Sequence, residues 1–439
     1  MFALVARTVA ERGPGLVAAF GARGLEAVSK FGLYALAARM LGGEGSGAFF
    51  LCLSVVHFVT TLARLGMDKP LTRHVAAELA VGRRDLAFRT AATGSAVVMA
   101  SSVALAAALA AAAGPLAAGA FHDPGLAGAL MLSALIVPLQ NAAYALAYLL
   151  IGLERGAAGQ LVMNALAPTL VLAALAAGAA SVHGLLLAYS AAFVICSLIG
   201  AVVLRDAWRK ALDREPPPGV TLEALPSMWR AAWPMFVVEL IQAALLSLPI
   251  MALGYFSTQL AVSQFSIANR LTMLVSTVVL SIGAIVAPAF ARHHRRQEFA
   301  ELRQVNRQVL LVSAGVCLPL IAAIVAFAHP LLALLGSPSQ TTVDAALIMA
   351  TGQLVFCLLP CRDILLAMTG NGDVLRRISM VQLAIAAVLC ATLIPAYGVI
   401  GAAWVSAVIW ALGAIGCSLS VDKVMPEAVW RLRLGSARP

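Results

Sequence analysis

Runs of about twenty apolar residues, separated by short polar connectors, recur along the whole chain. They fall near residues 24–41, 47–66, 88–113, 126–151, 161–180, 184–204, 232–253, 263–287, 309–328, 346–369, 379–396 and 401–420. A hydrocarbon core about 30 Å thick takes roughly 20 helical residues to cross. Each run therefore predicts a membrane-spanning helix, and together they use almost the whole length. The runs are continuous and rich in Ala and Leu rather than alternating, which argues for helices over strands. Stretches such as ALAAALAAAAG present small side chains. These let helices approach closely where lipid supplies no hydrophobic drive between them.

The connectors differ in charge from one side to the other. The N-terminal tail, the even-numbered connectors and the C-terminal tail hold nearly all of the Lys and Arg outside the runs, such as Arg83, Arg84, Arg205, Arg209, Arg292, Arg295, Arg376 and Arg431. The odd connectors, near 42–46, 114–124, 181–183, 254–262, 329–345 and 396–400, carry none. Basic side chains stay on the cytoplasmic side of a bilayer. The pattern predicts an all-α polytopic membrane protein with both termini in the cytoplasm.

Composition agrees. Of 439 residues, 62% are hydrophobic and 11% charged, where soluble domains run near 25% charged. The net charge of +10 comes from connectors that face an anionic leaflet. The tract ARHHRRQEFAELRQVNR is therefore read as a membrane-surface segment rather than a nucleic-acid site. The seven cysteines all fall inside apolar runs, so no disulfide framework is expected. Cys357 and Cys361 share a helix face without a His or carboxylate cluster, and no metal site is expected there. Nothing in the sequence asks for a cofactor. The start, MFALVARTVAERGPG, has no long apolar run and reads as lacking a cleaved signal peptide.

The longest connector contains DREPPPG, stiff and extended, and reads as a hinge between two halves. VHGLLLAYSAA after the fifth run matches VIGAAWVSAVI after the eleventh. The exit of the first run, AARMLGGEGSGAFF, can be laid on that of the seventh, ALGYFSTQLAVSQF, at a similar offset. Six spans per half bring both halves in from the same side as parallel repeats. The expected organisation is a six-helix lobe over 1–204, a cytoplasmic linker over 205–231, a second six-helix lobe over 232–420 and a cytoplasmic tail over 421–439.

These segments also carry a family likeness. AARMLGGEGSGAFF resembles the first-helix exit of polysaccharide flippases, and LARLGMDKPLTRHVA their second-helix exit. SQFSIANRL is similar to their eighth-helix start, and AYGVIGAAWVSAV to their eleventh-to-twelfth turn. The ordered set resembles the multidrug, oligosaccharidyl-lipid and polysaccharide exporter superfamily. The resemblance implies two lobes that open alternately to each side and a lipid-linked sugar as cargo. The chain departs from the pattern at Gln264-Phe265, where a Gly-aromatic pair is common, and lacks the two extra helices of lipid II flippases.

Ionisable side chains inside hydrocarbon are costly and mark functional candidates. On the first helix Glu26, Lys30 and Tyr34 share a face, either as a polar stripe or as a self-neutralising pair. Arg270 lies about two turns into the eighth helix beside Ser263 and Ser266; its guanidinium suits bidentate phosphate binding, or pairs with a carboxylate such as Glu239. Glu239 and Gln242 line the seventh helix. Arg362 and Asp363 follow Pro360, where a kink is expected. Arg39 and Arg64, near span ends, are expected to snorkel. Asn141, Tyr144 and Tyr148 form a stripe on the fourth helix that suits sugar rings or plain packing.

The expected function is a transporter that flips a polyprenyl-diphosphate-linked oligosaccharide from the cytoplasmic to the outer leaflet of the bacterial inner membrane. Arg270, Lys30 and Arg362 would hold the diphosphate. Its partners would be the lipid-linked oligosaccharide, membrane lipids and a glycan polymerase or export machinery, with no nucleic acid. The alternatives are a cation-coupled multidrug exporter of the same superfamily and a non-transporting scaffold. An enzyme would need clustered acid–base or metal groups in its loops. Asp123, Asp344, His122 and His329 are too scattered for that.

Overall fold

The computed structural model describes residues 2–212 and 228–425. Most of the predicted linker and the end of the predicted tail, with DREPPPG, lie outside the described residues. Within them the secondary structure is helical and holds no strand. Clustering of the backbone gives two compact units. Unit 1 covers residues up to Ser263 together with Leu335–Ser337, and unit 2 covers Gln264–Leu334 and the residues from Pro338 on.

Unit 1 contains α1 (Phe2–Arg64), α2 (Asp68–Ala80), α3 (Arg84–Pro115), α4 (Leu126–Gly152), α5 (Gly156–Gln160), α6 (Leu166–Ala176), α7 (Val182–Leu212) and α8 (Met228–Phe256). A π-helical turn joins α5 to α6 at Leu161–Ala165. α9 (Gln259–Arg295) begins in unit 1 and continues into unit 2. Unit 2 then holds α10 (Phe299–Ala326), α11 (Ala328–Leu334), α12 (Gln340–Leu358), α13 (Arg362–Met368) and α14 (Gly372–Val424).

Ten helices among the described residues are long and apolar enough to cross a membrane. Two of them are double. The rings of Tyr34 and Phe50 stack with centroids 4.3 Å apart, although sixteen residues along one straight helix would separate them by about 24 Å. α1 therefore folds back on itself, and it does so at Gly42, whose φ of 71° is left-handed and favours glycine. α14 repeats the device. Gln382 Nε2 donates to the Ile409 carbonyl at 2.9 Å, across a stretch that would span about 40 Å if straight. The reversal sits at Gly398 (φ 53°, ψ −123°). Ten helices with two hairpins make twelve spans, as the apolar runs predict, and both hairpin tips fall in connectors read from the sequence.

Small residues set the closest contacts. At Gly352 a Cβ would meet the Cα and carbonyl of Ala407 at 2.6 Å, so α12 and α14 touch almost backbone to backbone. At Gly47, on the tip of the α1 hairpin, a Cβ would run into the Gln259 carbonyl. The neighbouring Ser46 hydroxyl lies 2.7 Å from that of Ser263.

Candidate functional site

In unit 1 charged side chains converge from three helices and pair off. On α1, Lys30 Nζ lies 2.7 Å from Glu26 Oε1. The i, i+4 order with the acid first is the one a helix favours. At the end of α1, Arg64 Nε donates to Asp68 Oδ2 at 2.8 Å, with the two side chains only 11% and 5% exposed. Lys69, next on α2, approaches Glu239 of α8 at 3.3 Å. Three cations and three carboxylates thus form three ion pairs within one unit.

Tyrosines of α4 enclose these pairs. The Arg64 guanidinium sits 5.3 Å from the centre of the Tyr144 ring, a cation–π distance. Tyr148 and Glu239 lie close enough to Asp68 to bear on its charge. Thr72 of α2 donates to the Tyr148 carbonyl at 3.0 Å, which ties α2 to α4. Asp68 lies outside the spans, at the start of α2. Burial pushes its carboxyl up to about 6 and Glu239 adds to the rise, while Arg64 and the Tyr148 hydroxyl pull it down. His57 of α1 is exposed and within electrostatic range of Arg64 and Lys30.

The site residues expected from the sequence divide between the two units. Glu26, Lys30, Tyr144, Tyr148 and Glu239 come together in unit 1. Asn141 shares α4 with the two tyrosines but is fully enclosed. Its amide donates to Ser102 Oγ at 2.8 Å and to the Thr60 carbonyl at 3.2 Å, so it ties α4 to α3 and α1. Arg270 is half-buried on α9 and belongs to unit 2, as does Arg362. The helix breaks at Leu359–Cys361, around Pro360, and restarts at Arg362 after a left-handed Cys361 (φ 56°). Arg362 Nε and Nη1 are shielded from solvent, and no described residue gives them a hydrogen-bond acceptor. Asp422 of α14 is the carboxylate within electrostatic range.

Asp68 and Lys69 enter the cluster although the sequence did not single them out, and Arg64, expected to snorkel, joins them. Arg64 does not run to the surface as a snorkelling side chain would. The signal was present in RLGMDK, where Arg64 and Asp68 stand four apart. A span end gives no hint of the tyrosines that arrive from α4. Among the described residues no group of three or more His, Cys, Asp or Glu side chains is placed to hold a metal ion.

A family model described as polysaccharide biosynthesis protein matches residues 16–294, and a second, described as MatE, matches residues 234–392. No curated protein sequence matches the chain. Solved structures do. An inward-facing multidrug resistance MATE family transporter of the MOP superfamily superposes with a TM-score of 0.71 at 15% identity, covering 92% of this chain and 95% of that one. The lipid II flippase MurJ in an inward closed conformation gives 0.66 at 12% identity, covering 93% and 87%. The Vibrio cholerae MATE transporter VcmN in its bent form gives 0.59 at 15% identity, covering 94% and 98%. At these identities the likeness carries the fold.

Proposed function

The chain belongs to the polysaccharide biosynthesis protein family, among the transporters of the multidrug, oligosaccharidyl-lipid and polysaccharide exporter superfamily, and from that premise we propose that it carries a polyprenyl-diphosphate-linked oligosaccharide from the cytoplasmic to the outer leaflet. The polar head of such a cargo cannot cross hydrocarbon unaided, because moving a bare charge into a medium of low dielectric costs tens of kcal/mol in Born terms. Cationic donors offset that cost while the lipid tail stays in the bilayer.

The observation that carries this reading is the state of Arg362. Its shielded Nε and Nη1 have no hydrogen-bond acceptor among the described residues. A guanidinium stays charged at any accessible pH and grips phosphate with two parallel bonds. In this reading Arg270 is the principal diphosphate ligand and Arg362, of the same unit, supports it, while Lys30 is a separate phosphate contact in unit 1. Lys30 already holds Glu26, so phosphate there exchanges for a carboxylate rather than meeting a bare ammonium. Tyr144 and Tyr148 offer ring faces and hydroxyls to the sugar. Release on the far side requires modest binding, and alternating access supplies the route.

A second reading, a cation-coupled multidrug exporter, draws on the MatE match over residues 234–392 and on the acidic half of the unit 1 cluster. Arg270→Ala separates the two. Under the glycan reading, export of the lipid-linked glycan falls at least about tenfold at normal protein level, since charge-assisted phosphate contacts are lost, and drug susceptibility does not change. Full export by Arg270→Ala and Arg362→Ala variants would remove the diphosphate assignment. A raised drug susceptibility with intact export would favour the second reading.

A further inference from the structure

We propose that the first turns of α10 form a binding site for an anionic phospholipid of the cytoplasmic leaflet, with its phosphate held by Arg303 and Arg307 and an acyl chain lying along the exposed apolar stripe that begins at Leu311. A groove of about 440 Å³ is lined by Ala300, Arg303, Gln304, Arg307, Gln308 and Leu311. These positions share one face of the helix, at spacings of three and four. The opposite face, through Leu302, Asn306, Val309 and Ser313, is buried in the unit.

The lining has the chemistry of a headgroup site. Two guanidiniums and two carboxamides supply hydrogen-bond donors, and among the described residues no carboxylate lines the groove. Planar guanidinium forks match phosphate oxygens.

What lies beyond the groove selects a lipid over free phosphate. The same helix face continues as Leu311, Leu318 and Val325, spaced seven apart and 60%, 39% and 50% exposed. α10 is long and apolar enough to cross the membrane, so this stripe faces acyl chains. A ligand with an anionic head and an apolar tail fits both stretches at once. The basic last turn of α9 and the connector after it, with Arg292, Arg295 and Arg296, mark the side that faces the anionic leaflet.

This site lies on α10 and does not depend on the cargo reading. Its test is lipid retention, not glycan export. The full-length protein in detergent is titrated with phosphatidylglycerol or phosphatidylethanolamine, and bound lipid is read by native mass spectrometry. The wild type is expected to retain phosphatidylglycerol in preference to phosphatidylethanolamine. The Arg303→Gln/Arg307→Gln double variant should lose that retention roughly 10- to 30-fold, and each single variant a smaller share, with an unchanged helical circular dichroism spectrum. Inorganic phosphate at the same concentration should not displace the lipid. Equal retention by the folded variants, equal retention of the two lipids by the wild type, or displacement by inorganic phosphate would each overturn the proposal. So would retention of a polyprenyl phosphate in place of phosphatidylglycerol.

Discussion

Asp68 is the residue whose environment departs furthest from what its place in the chain suggests. It stands just past a span, where water would be expected, yet it is buried and its carboxyl is pushed up to about 6 from 3.8. A folded-state value above the unfolded one makes the protonated form the better-tolerated form in the native protein. The stabilisation linked to it is therefore fully present below about pH 4 and is lost as pH rises through about 6. A shift of about two units corresponds to on the order of 3 kcal/mol. In detergent, the thermal midpoint of the wild type should fall between pH 4.5 and pH 7. Asp68→Asn should flatten that dependence even though it weakens the pair with Arg64. A variant with the same slope as the wild type would move the titration elsewhere. At this scale the sequence was only partly legible. Arg64 and Asp68 stand at ion-pair spacing, but Tyr144 and Glu239 reach the pair from positions 76 or more residues away in the chain. Asn141 shows the same limit from the other side, since its helical spacing with Tyr144 and Tyr148 says nothing of Ser102, which takes its amide.

At the level of elements, glycines decide how closely helices pack, and their surroundings predict opposite outcomes for one substitution. Gly352→Ala pushes a methyl group into the Ala407 backbone. Neither helix can yield locally, so the expected cost is about 1–3 kcal/mol, as for overpacking a filled core. Gly315 lies on the exposed side of α10, with nothing within 4 Å of where a Cβ would stand. There Ala restricts the unfolded chain and favours the helix, so Gly315→Ala should be neutral or stabilise by up to about 1 kcal/mol. Thermal unfolding of the two variants side by side tests this, and a Gly352→Ala protein as stable as the wild type would refute the close contact. The elements were the most legible part of the fold. Apolar run length gave the twelve spans, and Gly42 and Gly398 sat in connectors already expected. The π-helical turns at Leu116–Ala120 and Leu161–Ala165 were not foreseen, because they shift the backbone ladder without changing the apolar pattern.

For the whole molecule, the distribution of Lys and Arg is the one feature that assigns a direction to the chain. The connectors free of both should face outward, and the basic ones the cytoplasm. The rule draws on the insertion machinery and the anionic leaflet rather than on packing, so it is legible in the sequence and leaves no mark in the internal contacts of the helices. The protein is well suited to a direct test. All seven native cysteines are buried, so a membrane-impermeant maleimide should find little background. Glu44, in the connector at the α1 reversal, and Gln297, in the basic connector between α9 and α10, are both exposed. Glu44→Cys should be labelled in intact cells. Gln297→Cys should be labelled only once the membrane is permeabilised. The reverse pattern would invert the orientation, and with it the proposed direction of cargo movement and the leaflet assigned to the α10 groove. Labelling of both in intact cells would contradict the span count between them. Seven crossings lie between the two positions: the second leg of α1, then α3, α4, α5–α6, α7, α8 and α9. An odd number puts Glu44 and Gln297 on opposite sides, and that parity is what the pair of labels reads.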